Sequence, residues 1–499
     1  MKNNIRLAAV ITYVTIFLSS AISLIYTPFV LYTLGKNEYG LFSLVNSIVS
    51  YIYLIDMGFC NSIIRYNSKY SIEQDYDGQR KFNNMFLTLS FVLAVISILI
   101  GLAIYFNLNY MFNQSLTIQE ITLTKSMFMV AIFNVAVSFP LNIFSSIIIA
   151  NERFLFIKIL NLIKSVLNPI IMVVALLFGY RAFAIITITT IINLIIGIVN
   201  IIYCFSQLKL RISIGRIHKD LFIEVFKYSF YISLSSVAYA IYWNSDKFLI
   251  ATFMGATPVA IYAVANQINS YFVAFSNVLA DMFLPVISKV VCIDENKNEL
   301  MKLMVRTGRV QFFISIYIIM GFILVGRQFI TRWVGDGYSA TYIITVILMS
   351  SQLISNTQSL FITMLEATNK HKTQAFIYLI VSIINLLISI ILIQKLQVLG
   401  CAIGTAIGML INAIASNIYY KYKMRLDIKY FWSEIIKLWH PSIITFVVGF
   451  VIASLFKISS FLHIGIFIVA FSALFITVFW IAGFNSYEKG IIIRALKKG

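Results

Sequence analysis

The chain has 499 residues, 60% of them hydrophobic and only 11% charged, with a mean hydropathy of +0.91. Repeated apolar runs of about 20 residues mark membrane-spanning helices and exclude a soluble globular protein. The net charge of +19 arises from basic residues in the loops between apolar runs, which is a topological signal and excludes a nucleic-acid footprint. The polar intervals are too short to fold a separate soluble domain, and no GxxxxGK[ST] stretch is present to cradle a nucleotide phosphate. A glycosyltransferase, kinase or ATPase on this chain is therefore excluded. Cys60, Cys204, Cys292 and Cys401 are scattered without CxxC pairing, so neither a zinc site nor a disulfide framework is indicated.

Met1 to Arg6 is a short basic start, and the apolar run that follows to Thr33 is too long for a signal-peptide core. It is expected to be a retained first helix, kinked at Pro28. Further helices are expected at 41–64, 83–106, 123–149, 156–178 and 182–205. A basic loop from Leu208 to Lys227 separates the halves. The second half repeats the scheme at 228–253, 258–285, 308–331, 340–365, 373–394 and 398–420. A second basic loop, Lys421 to Lys437, leads to a final pair at 441–457 and 461–483. The expected architecture is thus an all-α integral membrane protein of fourteen spans. Its parts are a bundle at 1–207, a bundle at 208–420, and a terminal segment at 421–499. Most of the 38 Lys and Arg residues fall on the side of the termini, which the positive-inside rule places in the cytoplasm.

The halves are related by an internal repeat. LGKNEYGLFSLVNSIVSY, from Leu34 to Tyr51, is echoed by MGATPVAIYAVANQINSY, from Met254 to Tyr271. Gly35 pairs with Gly255, Asn46 with Asn266, Ser50 with Ser270 and Tyr51 with Tyr271. A second echo relates IIIANERF, around Ala150, to TMLEATNK, around Ala367. Six spans per repeat is an even number, so both copies enter from the same side. Transporters built from parallel repeats hold their substrate between the two halves.

Polar residues within the spans are the candidate site. A charge at mid-membrane costs about 2.5–3.5 kcal/mol, so it needs a partner, water or a ligand. Asn161, Lys164, Ser165 and Asn168 follow at helical spacing on one face, with Pro169 next. Lys164 sits roughly 12 Å from the start of its span, at about 1.5 Å per residue, and either snorkels to the interface or lines a cavity. Asp246 and Lys247 are adjacent on the seventh helix, so they point about 100° apart and cannot simply face each other. Asn266, Ser270, Asn277 and Asp281 share one face of the eighth helix, and Asn356 belongs to a polar stripe on the tenth. Asp56 and Arg65 lie in the inner part of the second, in DMGFCNSIIRY. Asparagine and serine in such places also act as plain helix–helix glue, worth about 0.6 kcal/mol each.

LGKNEYGLFSLV, DMGFCNSIIRY, NSDKFLIATFMG and VAIYAVANQI resemble the polysaccharide flippases, of the O-antigen Wzx type, in the multidrug/oligosaccharidyl-lipid/polysaccharide exporter superfamily. The resemblance covers nearly the whole chain. It implies a V-shaped, MATE-like fold of two six-helix bundles around a central cavity. Fourteen-helix members are similar to the lipid II flippases, whose last helix pair forms a groove for the lipid tail. The family's cationic lumen implies Lys164, Lys247 and Arg65 as contacts for an anionic head group, with Asn161, Asn168, Asn266, Asn277 and Asn356 as further substrate contacts.

The expected activity is translocation of an undecaprenyl-pyrophosphate-linked oligosaccharide from the inner to the outer leaflet of the bacterial cytoplasmic membrane. It requires no cofactor beyond a coupling proton or sodium ion, for which Asp246, Asp281 and Asp56 are the candidate acids. The expected partners are the lipid-linked oligosaccharide, membrane lipids and a polysaccharide polymerase complex, with no nucleic acid. Two alternatives stand beside it: a cation-coupled multidrug antiporter of the same fold, and a membrane polysaccharide polymerase or ligase. Lysines in the cavity count against cationic drugs. The outer loops lack a cluster of acid, base and nucleophile.

Overall fold

A computed structural model describes residues 2–56, 58–215, 219–293, 297–367, 371–455 and 458–496. Apolar side chains cover most positions, and in hydrocarbon the backbone must satisfy its own hydrogen bonds, so the chain is helical almost throughout. The first half comprises α1 (Lys2–Tyr53), α2 (Phe59–Glu73), α3 (Tyr76–Phe112), α4 (Ile118–Ala150), α5 (Phe154–Leu177) and α6 (Ala182–Ser206). There follow α7 (Lys219–Met254), α8 (Ala256–Ile293), α9 (Lys297–Val334), α10 (Ser339–Thr357), α11 (Ser359–Ala367), α12 (His371–Leu396) and α13 (Val398–Tyr422). The rest is the short α14 (Ile428–Ile436), then α15 (Trp439–Leu455), α16 (Phe461–Val478) and α17 (Ser486–Leu496). Among the described residues, 11 helical stretches are long and apolar enough to cross a membrane. The first, Val14–Glu73, is 60 residues long, more than twice what one crossing uses.

That stretch is broken where the repeat begins. Gly35 has φ 75 and ψ 170, the only non-helical backbone inside α1, whereas Pro28 remains within the helix. Its repeat partner Gly255 has φ 87 and separates α7 from α8. A left-handed residue at the same place in both copies turns the chain between two spans, and only glycine takes it without a Cβ penalty. The copies also end alike. Beyond α6, Leu208 N donates to Tyr203 O and Leu210 N to Cys204 O around Lys209 at φ 48. Beyond α13, Met424 N donates to Tyr419 O and Leu426 N to Tyr420 O around Arg425 at φ 54. In both copies the outer bond closes around a non-glycine residue in the left-handed conformation, which ends the helix.

Packing divides the chain into two compact units, Met1–Ala263 with Tyr378–Cys401, and Val264–Ile377 with Ala402–Gly499. In the first, α4 is the central helix and packs against α1, α2, α3 and α6. Glycines permit the close approach: Gly101 of α3 lies against Ile132, and Gly197 of α6 against Leu141. An aromatic cluster of Phe59, Tyr66, Phe82 and Phe86 fills the end of the unit. Buried beside it, Asn67 and Asn83 exchange amide hydrogen bonds of 2.8 and 2.9 Å. The segment expected to be a free basic loop is docked here. Leu208, Leu210 and Ile212 pack on this cluster. Ser213 N donates to Asn84 Oδ1 at 2.8 Å, and Gly215 N to Thr88 Oγ1 at 3.0 Å. The loop's remainder, from Lys219, is the first two turns of α7.

In the second unit α9 is central, with α10, α11, α14, α15 and α16 around it. Phe467, Phe471, Phe475 and Phe479 recur every fourth residue and form a buried stack on α16 and the π-turn after it, against Phe313 and Tyr317 of α9. Arg309 of α9 is 4% exposed. Its guanidinium grips Glu488 of α17 through two bonds of 2.6 and 3.0 Å, and donates to the carbonyls of Gly483 and Glu434 at 2.8 and 3.0 Å. A buried cation needs this many acceptors to offset its desolvation.

Two helices expected to be continuous are interrupted. The helix expected at 41–64 ends at Tyr53, passes through a 3₁₀ turn at Leu54–Asp56, and restarts at Phe59 behind Gly58 at φ 68. The helix expected at 340–365 splits at Gln358, whose Nε2 donates to Asn417 Oδ1 of α13 at 2.7 Å. Both interruptions are fixed by a local backbone state or a distant side chain that hydrophobic periodicity does not encode.

The two repeat glycines differ in surroundings. A Cβ at Gly35 would meet nothing within 4 Å, whereas one at Gly255 would lie 2.8 Å from the carbonyl oxygen of Ser115. Gly35→Ala should therefore cost only the backbone conformation, which at φ 75 and ψ 170 is open essentially to glycine, about 1–3 kcal/mol. Gly255→Ala should cost an additional 1–3 kcal/mol or so from overpacking against backbone. Thermal unfolding of the two variants in detergent checks the order; equal melting temperatures would contradict it.

Candidate functional site

The polar face of α5 forms as its spacing requires. Asn161 is exposed, and Lys164, Ser165 and Asn168 are half-buried on one side of a helix whose remaining residues are almost all apolar. Ser165 Oγ returns to Leu162 O at 2.8 Å, while Asn168 Oδ1 has no hydrogen-bond partner. The Lys164 ammonium makes no ion pair among the described residues. Among the described residues its charge is therefore uncompensated within an apolar span. Water or an anionic ligand must supply what the protein does not.

On α7 the adjacent acid and base part company, as their helical angle requires. Asp246 is 1% exposed and its Oδ2 accepts a hydrogen bond from Tyr262 of α8. Tyr242, one turn back, stacks on Tyr378 of α12 with ring centroids 5.5 Å apart. Further along α12, Asn385 and Ser389 are fully buried, with Ser389 Oγ donating to Asn385 Oδ1 at 3.2 Å. Lys247 stays partly exposed and makes no ion pair among the described residues.

The remaining candidates are dispersed. Asp56 ends the 3₁₀ turn after α1, with Cys60 Sγ 4.0 Å from its Oδ1. It borders a small pocket shared with Phe86, Ser90 and Phe139. Arg65 is exposed on α2. Asn266 is half-buried on α8, and its carbonyl accepts from Ser270 Oγ at 2.8 Å. Asn356 is buried at the end of α10, with Nδ2 lacking a hydrogen-bond partner. The side chains of Asn277 and Asp281 lie outside the described residues. Sequence reasoning misses Tyr262, the donor that holds Asp246. The signal was the sixteen-residue separation across Gly255, which brings the end of α7 and the start of α8 side by side.

Solved structures share this architecture. The lipid II flippase MurJ in an inward closed conformation superimposes with a TM-score of 0.74 at 15% identity, over 98% of this chain and 99% of that one. An inward-facing multidrug resistance MATE family transporter of the MOP superfamily gives 0.68 at 15% identity, over 84% and 98%. The fold is thus that of the MATE-like membrane transporters, and the chain is a multi-pass membrane protein.

The sequence narrows the class. Residues 7–291 match the family described as Polysaccharide biosynthesis protein, and the chain belongs to that family. It is 21% identical over 212 residues to a probable low-salt glycan biosynthesis flippase, Agl15, of Haloferax volcanii, covering 42% of this chain and 44% of the relative. It is 24% identical over 200 residues to the capsular polysaccharide biosynthesis protein CapF of Staphylococcus aureus, covering 40% and 50%. The chain spans about half the length of these curated relatives.

Loss of the Tyr262 hydroxyl should leave a buried acceptor short of its donor, a cost of about 1–3 kcal/mol. Tyr262→Phe should accordingly unfold at lower temperature than the parent. Combined with Asp246→Asn, it should cost less than the two separate changes added together. A double-mutant cycle on thermal stability reads this coupling, and strict additivity would show that the contact contributes nothing.

Proposed function

We propose that this protein is a flippase that carries an undecaprenyl-pyrophosphate-linked oligosaccharide, an O-antigen or capsule repeat unit, from the inner to the outer leaflet of the bacterial cytoplasmic membrane. The observation that carries this reading is Lys164, an ammonium without an ion-pair partner among the described residues, on a half-exposed polar face inside an apolar span. A pyrophosphate head supplies the missing counter-charge, and the prenyl tail can remain in lipid. Lys247, Arg65, Asn161, Asn168, Asn266, Asn277 and Asn356 are proposed as further contacts along the path. Family membership and the MATE-like fold support the reading.

In this reading fourteen spans keep both termini in the cytoplasm, and bundles at 1–207 and 208–420 rock against each other to alternate access. The segment at 421–499 completes the fold. Asp246, held by Tyr262, is the proposed site of exchange with a proton or a sodium ion, and Asp281 and Asp56 are secondary candidates. A polysaccharide polymerase complex would receive the product at the outer face.

The test is transport of a fluorescent undecaprenyl-pyrophosphate oligosaccharide in proteoliposomes. Lys164→Gln should slow translocation at least tenfold, and Lys164→Arg should retain most of the rate. An inside-negative potential should accelerate outward movement, because each charge gains about 2.3 kcal/mol per 100 mV. Unaltered transport in Lys164→Gln would remove the lysine from the path, and export of ethidium in place of the lipid would favour a multidrug antiporter.

A further inference from the structure

A second polar feature, distinct from the charged one, runs across the first unit. On α4, Asn134, Ser138 and Asn142 recur every fourth residue and form one stripe. On α1, Asn46, Ser50 and Tyr53 fall on one face by the same rule. The two stripes meet where the Tyr53 hydroxyl lies 3.4 Å from Ser138 Oγ. The first extends to α6, where Asn193 Nδ2 donates to Asn134 Oδ1 at 3.1 Å.

These groups are not sealed into a dry helix contact. Tyr53 is 36% exposed, and Asn46 and Asn142 are exposed. The Asn142 amide makes no hydrogen bond among the described residues; only its backbone carbonyl is used, by Ser145 and Ser146. An amide facing hydrocarbon forfeits its hydrogen bonds, which is costly. The Asn142 end of the stripe must therefore face water or a ligand, whereas the Asn46 amide also returns to Phe42 O at 3.0 Å. An independent sign comes from α6. Asn200 is seven residues beyond Asn193, on the same face, and 5% exposed, yet its Oδ1 has no partner. Gly197 between them abuts Leu141 of α4, so this face looks toward the stripe.

The chemistry of the track is uniform. It offers amides and hydroxyls that both donate and accept, together with one partly exposed aromatic ring, and it contains no ionisable carboxylate or amine. Such a surface suits neither a pyrophosphate nor a cationic drug. It suits a neutral polyol, whose hydroxyls also donate and accept and whose C–H faces stack on aromatic rings.

We propose that the Asn46–Tyr53–Ser138–Asn142 track is the site that reads the sugar rings of the cargo, separately from the cation that takes its phosphates. The proposal rests on the flippase reading, but its test separates the two. Asn142→Cys is treated with a charged, water-soluble methanethiosulfonate in proteoliposomes. The thiol should be modified, and undecaprenyl pyrophosphate bearing a tetrasaccharide should protect it at least fivefold better than undecaprenyl pyrophosphate alone. An unreactive thiol, or equal protection by both lipids, would overturn the track.

In transport, Asn142→Ala and Tyr53→Phe should each slow the tetrasaccharide lipid at least fivefold relative to the bare lipid pyrophosphate. Equal slowing of both lipids would also overturn it. A parent protein that moves neither lipid sinks the flippase reading itself, whereas the thiol reaction reports the wetted track without any transport. Asn142→Gln, which keeps the amide, should behave closer to the parent than Asn142→Ala if the effect is hydrogen bonding and not a change of fold.

Discussion

The structure depends on one constraint: inside hydrocarbon, no polar group can turn to solvent for its missing hydrogen bonds. Most of the chain answers by being apolar and helical. Hydroxyls fold back onto the preceding turn, as Ser47 does to Ser43 and Thr345 to Thr341. Larger polar groups pair with one another, as Asn67 does with Asn83. What remains after this local satisfaction is a short set of residues that the fold leaves open, and those define where something other than protein must enter.

The buried and open polar groups divide by role. Arg309 and Asp246 are both buried, and each is held by donors or acceptors from other helices. Lys164, Lys247 and Asn142 lie on partly or fully exposed surface with no such support among the described residues. Composition alone does not distinguish these groups, since a lysine and an arginine in apolar runs look alike in sequence. The difference lies in the neighbours, and those are assembled by packing between segments as distant as Arg309 and Glu488.

Much of the fold was nonetheless legible. The echo of Leu34–Tyr51 in Met254–Tyr271 led to Gly35 and Gly255, and both adopt the left-handed backbone that a repeat-related turn demands. Helical spacing also placed Asn161, Lys164 and Asn168 on one face. The breaks at Gly58 and Gln358 were not legible, because hydrophobic periodicity runs through both without interruption. Nor was the partner of Asp246, or the polar line on α4, whose members read individually as ordinary helix glue. The similarity to solved transporters at 15% identity follows the same division: the apolar pattern conserves architecture, while side-chain chemistry is free to differ.

Arg309 and Glu488 are 179 residues apart. At a synthesis rate of about 5–20 residues per second, roughly ten to forty seconds pass between their emergence from the ribosome. For the first part of that interval α9 must reside in the bilayer with no carboxylate for its guanidinium, and then with only Glu434, whose Oε2 lies 3.9 Å away. Insertion of this helix is therefore provisional until the last segment arrives, and nascent chains stalled before Glu488 would present an arginine without its two-point partner to the machinery that inspects unfinished membrane proteins.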